Sequence, residues 1–172
     1  MSKGCVLFSA RQRKSVNFLY FCAIAAFVLA CSQAAGWWVN FNIPVNSTVE
    51  WNSFIHLTHI RNYGGIFGLL QGQGWLFGLL SLGLLGGIVA WLYLGTGVSR
   101  FEFCCFGFIA GGGLSNVVDR QIHGGVIDYI NLQHIPYWNY IFNLADVMIH
   151  VGIWPMILYG LLARKPGRYS HS

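Results

Sequence analysis

Acidic residues are almost missing from this chain. Five carboxylates stand in 172 residues, and three of them, Asp119, Asp128 and Asp146, are its only aspartates. Charged residues of both signs make up 9%, against roughly 25% in soluble domains. Hydrophobic residues reach 55% and mean hydropathy is +0.55. So little charge excludes an ordinary soluble protein and indicates an integral membrane protein. Length allows one domain over residues 1–172, and too little polar sequence remains for a separate soluble module. Cysteine is also missing where it would matter for stapling. Cys5, Cys22, Cys31, Cys104 and Cys105 fall in the N-terminal arm or in apolar runs, which argues against structural disulfides and for buried apolar packing of most of them. Cys104 and Cys105 are adjacent, so there is neither a Cys-x-x-Cys redox pair nor a zinc knuckle. No internal repeat and no Gly-x-Gly-Asp string occurs.

The cations that are present fall in groups. Lys3, Arg11, Arg13 and Lys14 precede the first apolar run, Arg100 sits in a short central break, and Arg164, Lys165 and Arg168 follow the last run; only Arg61 and Arg120 lie elsewhere. By the positive-inside rule these three groups are cytoplasmic. The net charge of +5 is then a topology signal, and no nucleic-acid partner is expected.

Four apolar runs separate the groups: 16–35, 75–94, 101–118 and 144–162. Each is close to the length of about 20 residues that crosses a bilayer. Both termini are then cytoplasmic. The first run ends near Val28-Leu29-Ala30-Cys31, which also resembles a secretory signal with a lipoprotein-type cleavage box; its long charge-free core favours retention as a span. Gly74, Gly78, Gly83 and Gly87 form small-xxx-small pairs for close helix approach, and Gly107, Gly111, Gly112 and Gly113 give the third run a smooth face. Glu102, at the inner end of that run, is expected to pair with Arg100 or with interfacial water.

Two external segments follow, 36–73 and 119–142. The first carries Pro44, several Asn and the interface-suited Trp37, Trp38 and Trp51, with a short amphipathic helix expected within Asn46 to Thr58, capped by Ser47 or Thr48. His56 and His59 sit three apart there without an acidic neighbour. Two exposed loop histidines are expected and no metal site, since a catalytic zinc uses three protein ligands. Residues 61–68 switch from polar to glycine-rich, where a backbone can approach a ligand or simply turn. The second segment turns at Gly124-Gly125 into an extended piece, Val126 to Ile130.

All three aspartates thus fall at the outer boundary, where an ionisable group is functional by default. Arg120 offers Asp119 a cation, so a structural ion pair is as good a reading of that pair as a functional one. Asp128 and Asp146 have no adjacent cation. If they meet, like charge and desolvation raise one pKa so that the pair shares a proton, as in aspartic proteases. His150 follows Asp146 by one helical turn and is expected to bond locally. The same acids suit a small proton- or cation-coupled membrane transporter, and glycine-rich helix faces alone suit a membrane scaffold.

The segments Asn62-Tyr63-Gly64-Gly65-Ile66-Phe67, Asn116-Val117-Val118-Asp119-Arg120, Gly124-Gly125-Val126-Ile127-Asp128-Tyr129 and Phe142-Asn143-Leu144-Ala145-Asp146 resemble the successive boxes of bacterial lipoprotein signal peptidase, the type II signal peptidase. Their order, their spacing and the four spans match, from Val16 onward. The resemblance implies an all-α membrane protein with four transmembrane helices, a small extracytoplasmic β-cradle and an interfacial helix that closes over the substrate. It implies an aspartyl endopeptidase of the bacterial inner membrane that removes the signal peptide of diacylglyceryl-modified prolipoproteins, cutting before the lipidated cysteine, without metal or other cofactor. Partners would be those signal peptides and membrane lipid, and the enzyme would act as a monomer. The dyad would be Asp128 and Asp146. Asn62, Gly64, Asn116, Asp119, Arg120, Asn143 and Ala145 would line or support the site. The chain departs from the family pattern at Ser32-Gln33-Ala34-Ala35-Gly36, where an Asp-Gln pair and a following Lys are usual. It departs again at Ser115 in place of glycine and Tyr129 in place of phenylalanine. Loss of the acid at Ser32 is expected to alter stability or substrate fit and to spare activity.

Overall fold

The computed structural model describes residues 10–65 and 68–163. Lys3, Cys5, Ile66, Phe67, Arg164, Lys165 and Arg168, singled out above, lie outside the described residues. Among the described residues four helices are long and apolar enough to span a membrane: α1 (Ala10–Asn42), α2 (Gly74–Leu94), α3 (Arg100–His123) and α4 (Leu144–Ala163). Strands β1 (Thr48–Glu50) and β2 (Ile55–Asn62) lie between α1 and α2, and β3 (Val126–Leu132) and β4 (Ile141–Phe142) lie between α3 and α4. They make one antiparallel sheet in the order β1-β2-β3-β4.

Helix α3 is the axis of the bundle, in contact with each of the other three. Its missing side chains are the reason. A Cβ on Gly111 would lie 2.6 Å from the Ala25 carbonyl of α1, and one on Gly112 would lie 2.4 Å from the Ala145 carbonyl of α4. On α4, Gly152 returns the approach against Cys105. The glycines of α2 behave differently from expectation. Among the described residues Gly83 and Gly87 meet nothing, and of these four only Gly74 and Gly78 are used, with the Arg120 side chain laid against them. Phe21, Ala25, Ile88, Leu92, Phe103 and Ala110 close the core between α1, α2 and α3. Of the described cysteines only Cys105 is buried and all are free, so the expected burial of most of them does not hold.

At one end of the bundle Lys14 Nζ donates to the carbonyls of Tyr93 and Gly95, 2.6 and 2.9 Å away, covering the open carbonyls at the C-terminus of α2. The expected Glu102–Arg100 pair is not formed. Glu102 is the third residue of α3 and closes a capping box with Ser99, which satisfies two amide donors at once. Arg100 instead bonds Asn17 and lies 5.0 Å over the Tyr20 ring.

At the other end α1 and α3 run further than their apolar stretches, to Asn42 and His123, shortening both external segments. They continue because the sheet gives them something to hold: Val39 of α1 and Ile43 just past its end are buried with Ile127 and Tyr129 of β3, and Asp119 of α3 accepts from the Ile127 amide. Helix α3 stops at Gly124, whose φ of 74° is easy only for glycine. The helix expected within Asn46 to Thr58 is replaced by β1, a turn and β2. Thr48, Val49, Ile55 and Thr58 favour extended backbone, and Asn52 Oδ1 accepts from the amides of Phe54 and Ile55 to make the turn. Between Leu57 and Ile60 the pairing slips, so that two residues oppose one. That bulge aims His59 inward. It is 0% exposed and donates from Nδ1 to the Ile43 carbonyl, 2.7 Å away, which overturns the expectation of an exposed loop histidine.

Candidate functional site

The site begins at the start of α4. Asn143 caps that helix: its Oδ1 accepts from the Asp146 amide at 3.0 Å, and Asp146 Oδ2 accepts from the Asn143 amide at 3.3 Å. Such a reciprocal arrangement satisfies two of the unpaired donors at a helix N-terminus. It also fixes the Asp146 carboxylate on the first turn. The other oxygen, Oδ1, accepts from Asn116 Nδ2 of α3 at 2.8 Å. His150, one turn on, donates from Nδ1 to the Asp146 carbonyl, the local bond expected of it.

Asp128 arrives from the sheet. It faces Ile60 of β2 in the register and is 3% exposed. Its Oδ1 accepts from Asn143 Nδ2 at 2.7 Å, and its Oδ2 accepts from Asn62 Nδ2 at 3.1 Å. Asn143 Nδ2 donates also to Asn116 Oδ1, 3.2 Å away. One amide chain therefore joins the acids: Asp128 to Asn143, Asn143 to Asn116, Asn116 to Asp146. Burial first, and then the negative charge of Asp146, push the Asp128 carboxyl up from 3.8 to about 7; the two asparagine donors and the Arg120 charge hold it from rising further. Asp128 is thus poised to hold a proton near neutral pH.

The remaining candidates support this pair from one layer out. Arg120 donates to the Asn116 carbonyl and to the Gly64 carbonyl, each at 3.0 Å, and so ties the loop after β2 to α3. Gly64 permits that loop. A Cβ there would lie 2.3 Å from the Leu69 carbonyl. Asp119 is not bonded to Arg120, correcting the ion-pair reading, since neighbouring helical positions face different ways. It is buried, accepting from Gln33 Nε2 at 2.8 Å and from the Ile127 amide at 3.1 Å, which pins β3 beside Asp128. Ala145 is buried, with its carbonyl against Gly112.

The departures from the family pattern acquire contacts of their own. Ser115 accepts from Gln33 Nε2 through both its hydroxyl, 3.0 Å, and its carbonyl, 3.1 Å. The Tyr129 hydroxyl accepts from the Leu144 amide at 3.2 Å, a further free donor at the start of α4, and burial lifts its phenol to about 12. Ser32 Oγ is buried with no partner among the described residues, and Gly36 faces Ile127.

The structure brings Asn62, Asn116, Asn143, Asp128 and Asp146 into one network and sets Gly64, Asp119, Arg120 and Ala145 around it. Sequence reading passed over the roles of Gln33 and Gln71. Gln33 stands inside the Ser32–Gly36 segment and Gln71 shortly after the Asn62 segment, the only signals available, and Gln71 donates to Asn62 Oδ1. Among the described residues no three His, Cys, Asp or Glu side chains gather as a metal site.

Residues 24–162 match the family model for signal peptidase (SPase) II. Lipoprotein signal peptidases are similar over most of their length. That of Cyanothece sp. is 37% identical over 80% of this chain and 79% of its own. That of Clostridioides difficile is 34% identical over 84% and 97%, and that of Pseudoalteromonas atlantica 32% over 86% and 90%. A solved bacterial membrane enzyme superposes with a TM-score of 0.76 at 24% identity, covering 88% of this chain and 93% of that one. A second gives 0.74 at 25%, covering 84% and 94%. Nothing in these likenesses favours a transporter. A multi-pass helical membrane fold, the matched boxes and relatives that cover nearly the whole chain lead to one conclusion: this chain belongs to the signal peptidase II family and is a membrane peptidase of lipoprotein processing.

Proposed function

We propose that the chain is an aspartyl endopeptidase whose dyad is Asp128 and Asp146, and that it cuts diacylglyceryl-modified prolipoproteins immediately before the lipid-bearing cysteine. One observation carries the catalytic assignment: a buried carboxylate, Asp128, and a half-buried one, Asp146, from different elements are held by a single run of asparagine amides. Asp128, with its carboxyl near 7, holds the shared proton. Asp146 is the base.

In the forward step Asp146 takes a proton from water as the water oxygen bonds to the scissile carbonyl carbon, and Asp128 gives its proton to the carbonyl oxygen. The resulting tetrahedral diol collapses when Asp128 takes a hydroxyl proton back and Asp146 passes its proton to the amide nitrogen. The carbon–nitrogen bond then breaks, leaving the signal peptide as a carboxylic acid and the lipidated cysteine with a free amine. No cofactor enters that balance. Asn62, Asn116 and Asn143 fix both carboxylates before substrate arrives, with Gly64, Asp119, Arg120 and Ala145 holding those three in place.

Lys14 and Arg100 gather at the end of the bundle opposite the dyad, and the positive-inside rule makes that end cytoplasmic. The dyad then lies at the outer boundary of the bacterial inner membrane, where a diacyl chain in the outer leaflet and an emerging signal peptide meet. The chain acts there as a single domain and a monomer, with membrane lipid around it.

The test is cleavage of a diacylated prolipoprotein by purified protein in detergent. Asp128→Asn and Asp146→Asn should each abolish it while both variants melt cooperatively. Full activity in either one refutes the dyad.

A further inference from the structure

Gln71 belongs to none of the recognised boxes, yet it is bonded to the asparagine that touches Asp128. Its Nε2 donates to Asn62 Oδ1 at 3.2 Å and to the Gly68 carbonyl at 3.0 Å, while its Oε1 accepts from the Tyr63 amide at 3.2 Å. The surrounding loop is wound tightly enough to hold it. Gly65 donates to Leu69, Gly72 donates to Tyr63, and Leu70 and Gly72 take φ values of 52° and 87°, a left-handed backbone that a leucine adopts only where its surroundings impose it.

The Asn62 side chain has two ends and only one of them serves the acid. Its Nδ2 donates to Asp128 Oδ2 and to the Gly65 carbonyl, and its Oδ1 accepts from the Gly64 amide and from Gln71. A reversed amide would set Oδ1 against the Asp128 carboxylate and Nδ2 against the Gly64 amide, opposing acceptor to acceptor and donor to donor. Two donors aimed at Oδ1 forbid that reversal. The Gly64 amide is one, and Gln71 is the only side chain among them.

We propose that Gln71 is a positioning residue for the peptidase reaction: it locks the orientation of the Asn62 amide and, through it, the donor that faces the Asp128 carboxyl. The inference rests on the dyad reading. Asp128 is faced also by Asn143 from the start of α4, by the charge of Asp146 on α4 and by that of Arg120 on α3; none of these contacts passes through Gln71. A slackened Asn62 therefore weakens one donor to Asp128 and leaves the others, so the proton on Asp128 is held more tightly and the alkaline limb of the pH profile rises.

The experiment is steady-state cleavage of a diacylated prolipoprotein against pH by wild-type protein, by Gln71→Met and by Gln71→Glu, each also in an Asn62→Ala background. Gln71→Met removes donor and acceptor at nearly equal length; Gln71→Glu keeps the acceptor for the Tyr63 amide and loses the donor to Asn62. The expected result is an alkaline limb about one pH unit higher, with kcat lower by about tenfold, the scale of one lost hydrogen bond, and KM changed by less than about twofold. In the Asn62→Ala background the residual cleavage should be indifferent to residue 71. A limb at the wild-type position overturns the proposal. An effect of either variant that persists at full size without Asn62 also overturns it, because a purely structural loop role, or the added charge of glutamate, acts whether or not Asn62 is there. If Gln71→Met no longer melts cooperatively, Gln71→Glu decides on the same two readouts. Asp128→Asn runs alongside: an active Asp128→Asn removes the dyad reading itself, whereas an inactive one with unmoved Gln71 variants removes only the positioning role.

Discussion

Asn143 joins two jobs in one side chain, and a pair of substitutions separates them. Its Oδ1 caps α4 by accepting from the Asp146 amide, and its Nδ2 donates to Asp128 Oδ1 at 2.7 Å. Serine at this position keeps the first job, since a hydroxyl is among the best caps, but is too short for the second. Alanine loses both. A hydrogen bond to an ionised group contributes about 1.5–3 kcal/mol, and each 1.36 kcal/mol corresponds to one pKa unit, so losing the Asn143 donor raises the Asp128 carboxyl by about one to two units above its value of about 7. The sign follows from the charge state: the donor favours the carboxylate, and its removal favours the acid. Asp128 works as the acid, so wild-type activity should decline above an apparent pKa near 7, and Asn143→Ser should carry that decline to about 8–9. Its plateau should be lower, because Asn116 also loses a partner. The assay is kcat for prolipoprotein cleavage at pH 5–10 in detergent, with thermal melting of each variant. Asn143→Ala should show the same limb and a further loss of about 1 kcal/mol of stability from the missing cap. A limb that stays in place or moves to lower pH in Asn143→Ser refutes the assignment of the proton to Asp128.

Two further outcomes follow from the same geometry. Between about pH 4 and 7 the folded protein holds a proton on Asp128 that the unfolded chain, at its ordinary 3.8, releases. Stability should therefore fall as pH rises through that window, by at most about 4 kcal/mol, and the difference in melting temperature between pH 5 and pH 8 should shrink in Asp128→Asn; an equal difference in both proteins contradicts the burial argument. In the bundle, Gly112→Ala places a Cβ where the Ala145 carbonyl stands. Forcing α3 from α4 should cost about 1–3 kcal/mol and lower cleavage along with stability, while alanine at Gly87, which meets no neighbour, should leave the melting temperature within a degree or two.

What could be read before the fold was known divides along the range of the interaction concerned. The four spans were legible because crossing a bilayer is a local demand, roughly 20 apolar residues in succession, and α2 and α4 start within a residue of where hydropathy places them. Helix α1 overran the same rule because its last turns answer to the sheet, a partner lying far away in sequence, and α3 because its Asp119 holds the start of β3 and the helix stops only at left-handed Gly124. The same remoteness hid β1 and β2: Asn46 to Thr58 carries enough polar alternation for a surface helix, and only pairing of β2 with β3 across the α2–α3 hairpin decides for extended backbone. The acids were legible by scarcity, since a carboxylate in an apolar chain needs a reason wherever it lies. Their helpers were legible only through the resemblance, which names Asn62, Asn116 and Asn143. Asn62 bonds Asp128 across 66 positions and Gln33 bonds Asp119 across 86, and a lone amide gives no local sign of such reach. Glutamine 71 is the sharper case, because it sits nine residues from Asn62 and was still invisible: a loop must first be wound through left-handed Gly68, Leu70 and Gly72 before those two amides face each other. Short polar loops beside a recognised motif are therefore where a sequence with few charges hides the rest of its active site, since neutral amides orient its carboxylates without adding charge to the membrane.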